Sequence, residues 1–96
     1  MAQRGYAVDE NQKQCVDALR KLGYRVFNCS GFGQGFPDSI VGYPGVNLLV
    51  EWKKDEKQRL TPAQVKFHSN WPGPLITAIG FEEVHAKMTE LIAKRA

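Results

Sequence analysis

Apolar residues recur every three to four positions in three stretches of the chain, which is the spacing of an amphipathic helix packed against a core. Four shorter stretches are instead rich in β-branched and aromatic residues, a composition that favours strands. Helices are predicted over residues 9–22, 61–71 and 81–94, and strands over residues 24–29, 36–43, 46–53 and 75–79. The predicted order is α-β-β-β-α-β-α, which indicates an α/β fold.

The predicted helices carry signals for where they begin and which side they bury. Thr61, Pro62 and Gln64 have the spacing of a capping box with proline in the first turn. Asp9 and Gln12 have the same N-cap and N3 spacing at the start of the first helix. The inward stripes are predicted to be Val8, Cys15, Leu19 and Leu22 in the first helix, and Val84, Met88, Leu91 and Ile92 in the last.

The two middle strands are joined by Pro44-Gly45, which is a turn signal. Residues 48–50 of the second of these strands form a continuous apolar run, typical of a central strand covered on both faces. If Pro44-Gly45 is a two-residue turn, counting outward places Asp38 opposite Glu51 with Cβ atoms roughly 5 Å apart. A longer loop or a bulge would shift this register.

Like charges directly opposite each other destabilise a sheet, so the Asp38–Glu51 pair is expected to have a compensating positive charge. Lys53 shares the face of Glu51 because side chains alternate, and an ordinary salt bridge with either carboxylate is one solution. The other is a hard divalent cation, Mg²⁺ or Mn²⁺, that also binds the backbone carbonyl of Trp52. A site of this kind suits a phosphodiester, since a metal activates water and an ammonium group stabilises developing charge.

The 96 residues and their net charge of +3 fit one globular domain, and this charge allows a nucleic-acid partner without requiring one. We expect a single domain over residues 1–96 with residues 1–7 loose. No apolar stretch approaches a membrane span or resembles a secretory signal, so a cytoplasmic location is expected. Cys15 and Cys29 lack metal-ligand spacing and are interpreted as reduced thiols in or near the core.

Residues 35–38 (GFPD) and 51–53 (EWK), separated by the predicted hairpin, resemble the PD…ExK signature of the PD-(D/E)XK nuclease superfamily. Residues 60–64 (LTPAQ) add the L-T-P-x-Q pattern of its VRR-NUC (virus-type replication-repair nuclease) group. The similarity extends from about residue 10 to the last strand. It implies a restriction-endonuclease-like αβββαβ core, with a mixed four-stranded sheet flanked by helices and an extra C-terminal helix.

The resemblance also implies roles for individual residues. Asp38 and Glu51 would be metal ligands, Lys53 would be the catalytic lysine, and DNA would be the substrate. Gln64 has two interpretations at even weight. It reaches the lysine or the substrate, as the resemblance implies, or it only closes the capping box at its own helix.

The family often places a further acidic residue on the first helix, aimed at the metal, and here the sequence departs from that pattern. Glu10 falls on the side of the helix opposite the inward stripe. Gln12 is therefore favoured for this position, where it would hydrogen-bond a metal-bound water or a phosphate. The alternative for Gln12 is the capping box with Asp9.

Two loops are candidates for DNA contact: the glycine-rich loop before Asp38 and the charged loop after Lys53. The alternative is that the first is a mobile connection and the second a solvated loop of mixed charge. The candidate contact residues are Gly33, Gly35, Lys54, Lys57 and Arg59. Trp71 is interpreted as a core or dimer-interface residue rather than as a platform on which a base stacks.

The leading hypothesis is a Mg²⁺- or Mn²⁺-dependent DNA endonuclease. Selectivity for branched or junction DNA and a homodimer are expected by analogy with junction resolvases of the same fold. The alternative is a non-catalytic DNA-binding or assembly module on that fold, which the missing acid on the first helix keeps open. RNA as substrate, a role in a viral or repair assembly, and the host cytoplasm as compartment also stay open.

Overall fold

The computed structural model describes residues 10–95, and its elements follow the predicted order. They are α1 (Glu10–Lys21), β1 (Arg25–Asn28), β2 (Ser39–Tyr43), β3 (Val46–Trp52), α2 (Pro62–Asn70), β4 (Leu75–Ala78) and α3 (Phe81–Lys94). Each strand is shorter than predicted, and β2 loses the most because it begins only after Asp38. The expectations for residues 1–7, Val8 and Asp9 lie outside the described residues. Over residues 10–95, no helix has both the length and the apolar composition needed to cross a bilayer.

The strands form one mixed sheet in the order β1-β2-β3-β4, in which only the β3–β4 pair is parallel. Tyr43 pairs with Val46, which confirms Pro44-Gly45 as a two-residue turn. Gly45 has φ +80°, the conformation that glycine adopts after proline in a type II turn. This turn sets the register of β2 on β3 from its closed end, and the predicted α/β fold with a mixed four-stranded sheet is confirmed.

One face of the sheet is covered by α1 and α3, and this interface contains the hydrophobic core. Its largest fully buried aliphatic side chains come from both helices and the two central strands: Leu19, Val41, Leu48, Val50, Val84 and Met88. The predicted stripe of α3 is confirmed, with Leu91 and Ile92 packed at the margin of the core. Burial of each such side chain contributes about 1.5–3 kcal/mol, so this face supplies most of the stability of the fold.

The prediction that Leu22 belongs to the inward stripe of α1 is wrong, because its side chain is 49% exposed. α1 ends at Lys21, and the chain leaves it through Gly23 with φ +100°. The regular rotation of a helix no longer applies at Leu22, so this residue turns outward while Cys15 and Leu19 remain buried.

α2 lies outside this core, and none of its residues is fully buried. In β3, Val50 and Trp52 belong to the core, so Glu51 between them points to the opposite face of the sheet. Gln64 of α2 contacts Glu51 there. The sheet therefore separates a stabilising side, with α1 and α3, from a second side on which α2 meets a buried acid.

Candidate active site

The carboxyl groups of Asp38 and Glu51 meet where the β2–β3 ladder ends. One step beyond the last pair of the β2–β3 register sets these two residues opposite each other. Asp38 Oδ2 accepts a hydrogen bond of 2.9 Å from the backbone N–H of Trp52, in place of the backbone carbonyl that a longer ladder would offer. The Asp38 carbonyl accepts another of 2.7 Å from the N–H of Cys29, so both neighbouring strands hold the residue.

Glu51 is only 4% exposed, although it is an acid. Burial, the charge of Asp38 and a hydrogen bond to the Asp38 carboxyl group raise the pKa of Glu51 from 4.5 to about 8. A hydrogen bond between two carboxyl groups requires a proton, so Glu51 holds one at neutral pH. Glu51 Oε1 is buried and has no hydrogen-bond partner among the described residues.

Gln64 closes the capping box, which is one of its two predicted roles, and it also contacts Glu51, which was not predicted. A contact of Gln64 with the lysine or the substrate stays a prediction. Its backbone N–H donates to Thr61 Oγ1 at 3.2 Å, and its Oε1 accepts from the Thr61 N–H at 2.8 Å, which closes the capping box. Its Nε2 also donates to Glu51 Oε2 at 3.0 Å. Because a backbone donor occupies Oε1, the amide can present only its N–H to Glu51. The capping box thus orients a donor at the carboxyl pair.

Lys53 is half-buried, and its backbone N–H donates to the Ala78 carbonyl at 2.9 Å, which extends the β3–β4 ladder by one residue. Neither of the salt bridges considered from the sequence forms. Within residues 10–95, the ion pairs shorter than 4.0 Å are those of Glu90 with Lys87 and Lys94. No lysine of residues 10–95 is therefore paired with either acid, and the Lys53 ammonium group is available to an anion.

The two candidates on α1 occupy different environments, because Glu10 is exposed whereas Gln12 is only 7% exposed. Gln12 lines a cavity of about 260 Å³ between α1 and β1, together with Val26 and Asn28. Within the described residues, no group of three or more His, Cys, Asp and Glu side chains is placed to hold a metal ion. The role of Gln12 at a metal stays a prediction.

The glycines of the loop before Asp38 differ in their surroundings. Gly33, Gln34 and Gly35 have φ angles of +77°, +57° and +80°, three consecutive left-handed residues. A Cβ atom at Gly35 would overlap the backbone of Ala63 in the first turn of α2, whereas one at Gly33 would meet open space. Gly35 therefore packs the loop against α2, and contact of Gly33 or Gly35 with DNA stays a prediction.

The side chains of Lys54, Lys57 and Arg59 are all exposed, as expected for a solvated loop. Asp55 Oδ1 accepts from the backbone N–H groups of Lys57 and Gln58 at 2.8 and 3.0 Å. Gln58 Oε1 accepts from the Lys54 N–H at 2.6 Å. Side chain–backbone hydrogen bonds thus shape this loop, and contact of its three cations with DNA stays a prediction.

A row of four aromatic rings, which links the loop before Asp38 to the end of α2, was not predicted from the sequence. Neighbouring ring centroids are 5.4 Å apart for Phe32–Phe36, 5.3 Å for Phe36–Phe67 and 5.2 Å for Phe67–Trp71. The spacing of Phe67 and Trp71, four residues apart at the end of a helix, was the available signal. Nothing in the sequence placed Phe36 against Phe67. Trp71 is 43% exposed, so its interpretation as a core residue is wrong.

Comparison with known proteins identifies the family. A solved structure described as a VRR_NUC domain is similar to this chain, with a TM-score of 0.66 and 30% sequence identity. The match covers 81% of this chain and 89% of that chain. No protein-family model and no curated protein matches. Since the shared sequence and fold extend over most of both chains, this chain belongs to the VRR-NUC family and has the PD-(D/E)XK-like nuclease fold.

Proposed function

We propose that this domain is a metal-dependent endonuclease that hydrolyses DNA phosphodiester bonds, with Asp38 and Glu51 as metal ligands and Lys53 as the catalytic lysine. The observation that carries the proposal is the buried carboxyl pair. Among residues 10–95, no lysine or arginine nitrogen lies within 4.0 Å of either acid. Such a pair destabilises the fold once both groups ionise, so stability alone does not account for it.

The atoms around the pair fit a small hard cation, Mg²⁺ or Mn²⁺. Both acids offer oxygen ligands, and Glu51 Oε1 is buried without an N–H donor. Trp52 adds a third oxygen, because the N–H and C=O of one residue in a strand point to the same side and its N–H meets Asp38. A bound cation supplies neutralisation of the carboxylates and polarisation of the phosphodiester and the attacking water.

The other residues of the site position these ligands or meet the substrate. Gln64 Nε2 holds Glu51 Oε2, and the Trp52 N–H holds Asp38 Oδ2, so one oxygen of each acid is restrained. The Lys53 ammonium group leaves the strand on the face of Glu51 and stabilises negative charge that develops on the phosphate. Gln64 is thus a positioning residue, and Lys53 acts on the substrate itself.

The test is nicking of supercoiled plasmid DNA in Mg²⁺ or Mn²⁺. We expect Asp38→Ala and Lys53→Ala to lower the rate roughly a hundredfold or more, the scale of losing one charge-stabilising group. Asp17→Asn and Lys13→Ala are matched controls that remove an exposed acid and an exposed base of α1, and they should keep the wild-type rate. Wild-type nicking by both Asp38→Ala and Lys53→Ala would end the proposal.

Branched or junction DNA and a homodimer are the finer part of the proposal. The proposed site is the Asp38–Glu51 pair, and cleavage of both strands of a duplex or junction needs two such sites, which a twofold dimer supplies. Cleavage of single-stranded, duplex, flap and four-way substrates ranks the DNA structures. Sedimentation velocity measures the oligomeric state, and a monomer at the concentration of full activity contradicts the dimer.

A non-catalytic DNA-binding or assembly module is the second candidate. The absence of a third acid at the pair, within the part of the chain that the structure describes, favours it. Titration calorimetry with Mn²⁺ separates the two functions. Heat of binding in the wild type that Glu51→Gln abolishes supports the nuclease, and no such heat in the wild type supports the module.

A further inference from the structure

A groove runs between α2 and the loop that precedes Asp38. It has a volume of about 460 Å³ and is lined by Gln34, Ala63, Lys66, Phe67, Asn70 and Trp71. Gly35 packs against Ala63 in the first turn of α2, and the next residue, Gln64, contacts Glu51. The first turn of α2 thus contacts both the groove, through Ala63, and the carboxyl pair, through Gln64.

Trp71 is the exposed end of the aromatic row. Its ring lies within 16° of the plane of Phe67, with centroids 5.2 Å apart, which is a stacked arrangement. Phe67 and Phe36 are half-buried and support the stack from behind, while Trp71 itself is 43% exposed. A planar ligand can extend such a stack at little entropic cost, because the rings are already in place.

The charge around the groove favours a polyanion as its ligand. α2 contains Lys66 and no acid, and burial lowers the pKa of its His68, which therefore adds no charge at neutral pH. α3, on the core side, contains three acids and two lysines. Lys66 forms no ion pair within the described residues, so its ammonium group can meet a phosphate. An apolar or basic protein partner would leave this cation without a counter-charge.

The amide groups of the groove add hydrogen-bonding capacity beside the rings. Gln34 and Asn70 both line it. Asn70 Nδ2 already donates to the Lys66 carbonyl at 3.0 Å, which leaves Asn70 Oδ1 to accept from a ligand. A flat stacking surface, an amide acceptor and an adjacent cation together match the base and the phosphate of a nucleotide.

We propose that this groove binds an unpaired base of the DNA strand held at the carboxyl pair, with the base stacked on Trp71 and a neighbouring phosphate at Lys66. A base inside a duplex has both faces covered by its neighbours, so it cannot extend the aromatic row without leaving the helix. The groove therefore selects single-stranded or locally unpaired DNA. This inference deepens the proposed function and rests on it for the cleavage of the bound strand.

Binding without cleavage tests the groove directly. Fluorescence anisotropy in EDTA is measured with a labelled oligothymidylate of about 12 nucleotides, the same strand with abasic sites, and a duplex of equal length. Trp71→Ala should weaken binding of the intact single strand roughly tenfold, the scale of losing one base–aromatic stack, and should leave the abasic strand and the duplex nearly unchanged. Trp71→Phe should restore most of the affinity, because it keeps a ring.

Tyr43→Ala is the matched control, since Tyr43 is 40% exposed and lies at the far end of β2 from Asp38. The proposal is overturned if Trp71→Ala binds the single strand normally, weakens all three ligands equally, or has the same effect as Tyr43→Ala. It is also overturned if Trp71→Ala converts a dimer to a monomer in sedimentation velocity, because the groove is then a protein interface.

The two proposals fail separately. Asp38→Ala should abolish nicking while its binding of the single strand still depends on Trp71. If the wild type nicks no DNA but its binding of the single strand depends on Trp71, the nuclease proposal is contradicted and the groove proposal stands. If the wild type nicks DNA and Trp71→Ala binds the single strand normally, the groove proposal is contradicted and the nuclease proposal stands.

Discussion

Two glutamates of this chain lie in opposite environments: Glu90 on the surface of α3 and Glu51 at the end of β3. Glu90 carboxylate oxygens lie 3.5 Å from Lys87 Nζ and 2.9 Å from Lys94 Nζ. The hydrogen bond from Lys94 and the charges of both lysines lower the pKa of Glu90. Burial and the neighbouring Asp38 instead raise the pKa of Glu51 to about 8.

The difference separates residues that serve stability from residues that do not. The chain places lysines within reach of an exposed acid, where an ion pair contributes little. Within the described residues it places none within 4.0 Å of the buried pair, where an unbalanced charge is most unfavourable. Lys53 is close in sequence to Glu51 and still forms no salt bridge with it. A pair of acids without a positive side chain beside it has the oxygen ligands that a divalent cation binds.

The largest expected effect is on the free energy of unfolding of the metal-free protein. The folded state keeps a proton on Glu51 up to about pH 8, whereas the unfolded chain releases it near 4.5. Stability should therefore be highest below the unfolded pKa and should fall as pH rises through the folded pKa. Each pH unit between the two values corresponds to about 1.4 kcal/mol, and solvent relaxation around half-exposed Asp38 reduces the total to about 2–4 kcal/mol.

Urea unfolding in EDTA between about pH 4 and pH 9 measures this loss. Glu51→Gln is nearly isosteric and cannot ionise, so it should remove the slope and make the protein more stable than the wild type at the alkaline end. Addition of Mg²⁺ or Mn²⁺ to the wild type should also flatten the slope, because the cation binds the ionised carboxylates and so stabilises the folded state more as pH rises. An equal slope in Glu51→Gln would show that another group titrates.

Gln64 provides the second prediction, with an effect of about 1–2 kcal/mol. Gln64→Ala removes half of the capping box and the donor to Glu51 Oε2, whereas Thr61→Ala removes only a cap, at about 1 kcal/mol. Loss of a hydrogen bond to a carboxylate raises its pKa further. The midpoint of the pH-dependent loss should move to higher pH in Gln64→Ala and stay in place in Thr61→Ala. A shared midpoint would reduce Gln64 to a helix cap.

The position of the carboxyl pair was predictable because one local signal determined it. Proline followed by glycine matches the two central positions of the turn between β2 and β3, and Gly45 has the positive φ that this turn needs. Since pairing in a hairpin is counted from its turn, Asp38 and Glu51 followed as neighbours. The capping box at Thr61 was equally local.

Contacts between distant segments were not predictable in this way. The hydrogen bond from Gln64 to Glu51 joins residues on either side of a loop whose path the sequence does not specify. The contact of Phe36 with Phe67 depends on the close approach that Gly35 allows at Ala63, and glycines in a loop have many conformations. Spacing rules apply within one element, and these contacts arise where two elements meet.

The smallest effect is expected at Glu90, and it has the opposite sign in pH. The pKa of Glu90 is lowered in the folded state, so its contribution is present above the unfolded pKa of 4.5 and is lost as pH falls through the folded value. Glu90→Gln should therefore be slightly less stable than the wild type near neutral pH. The deficit should vanish in acid or in about 1 M salt, which screens exposed charges. Above pH 4.5, the unfolding free energy of Glu90→Gln should fall with pH as steeply as that of the wild type, because Glu51 causes this slope. If Glu90→Gln flattened that slope as Glu51→Gln does, the slope could not be assigned to Glu51. The contrast between the exposed acid and the buried carboxyl pair would then be contradicted.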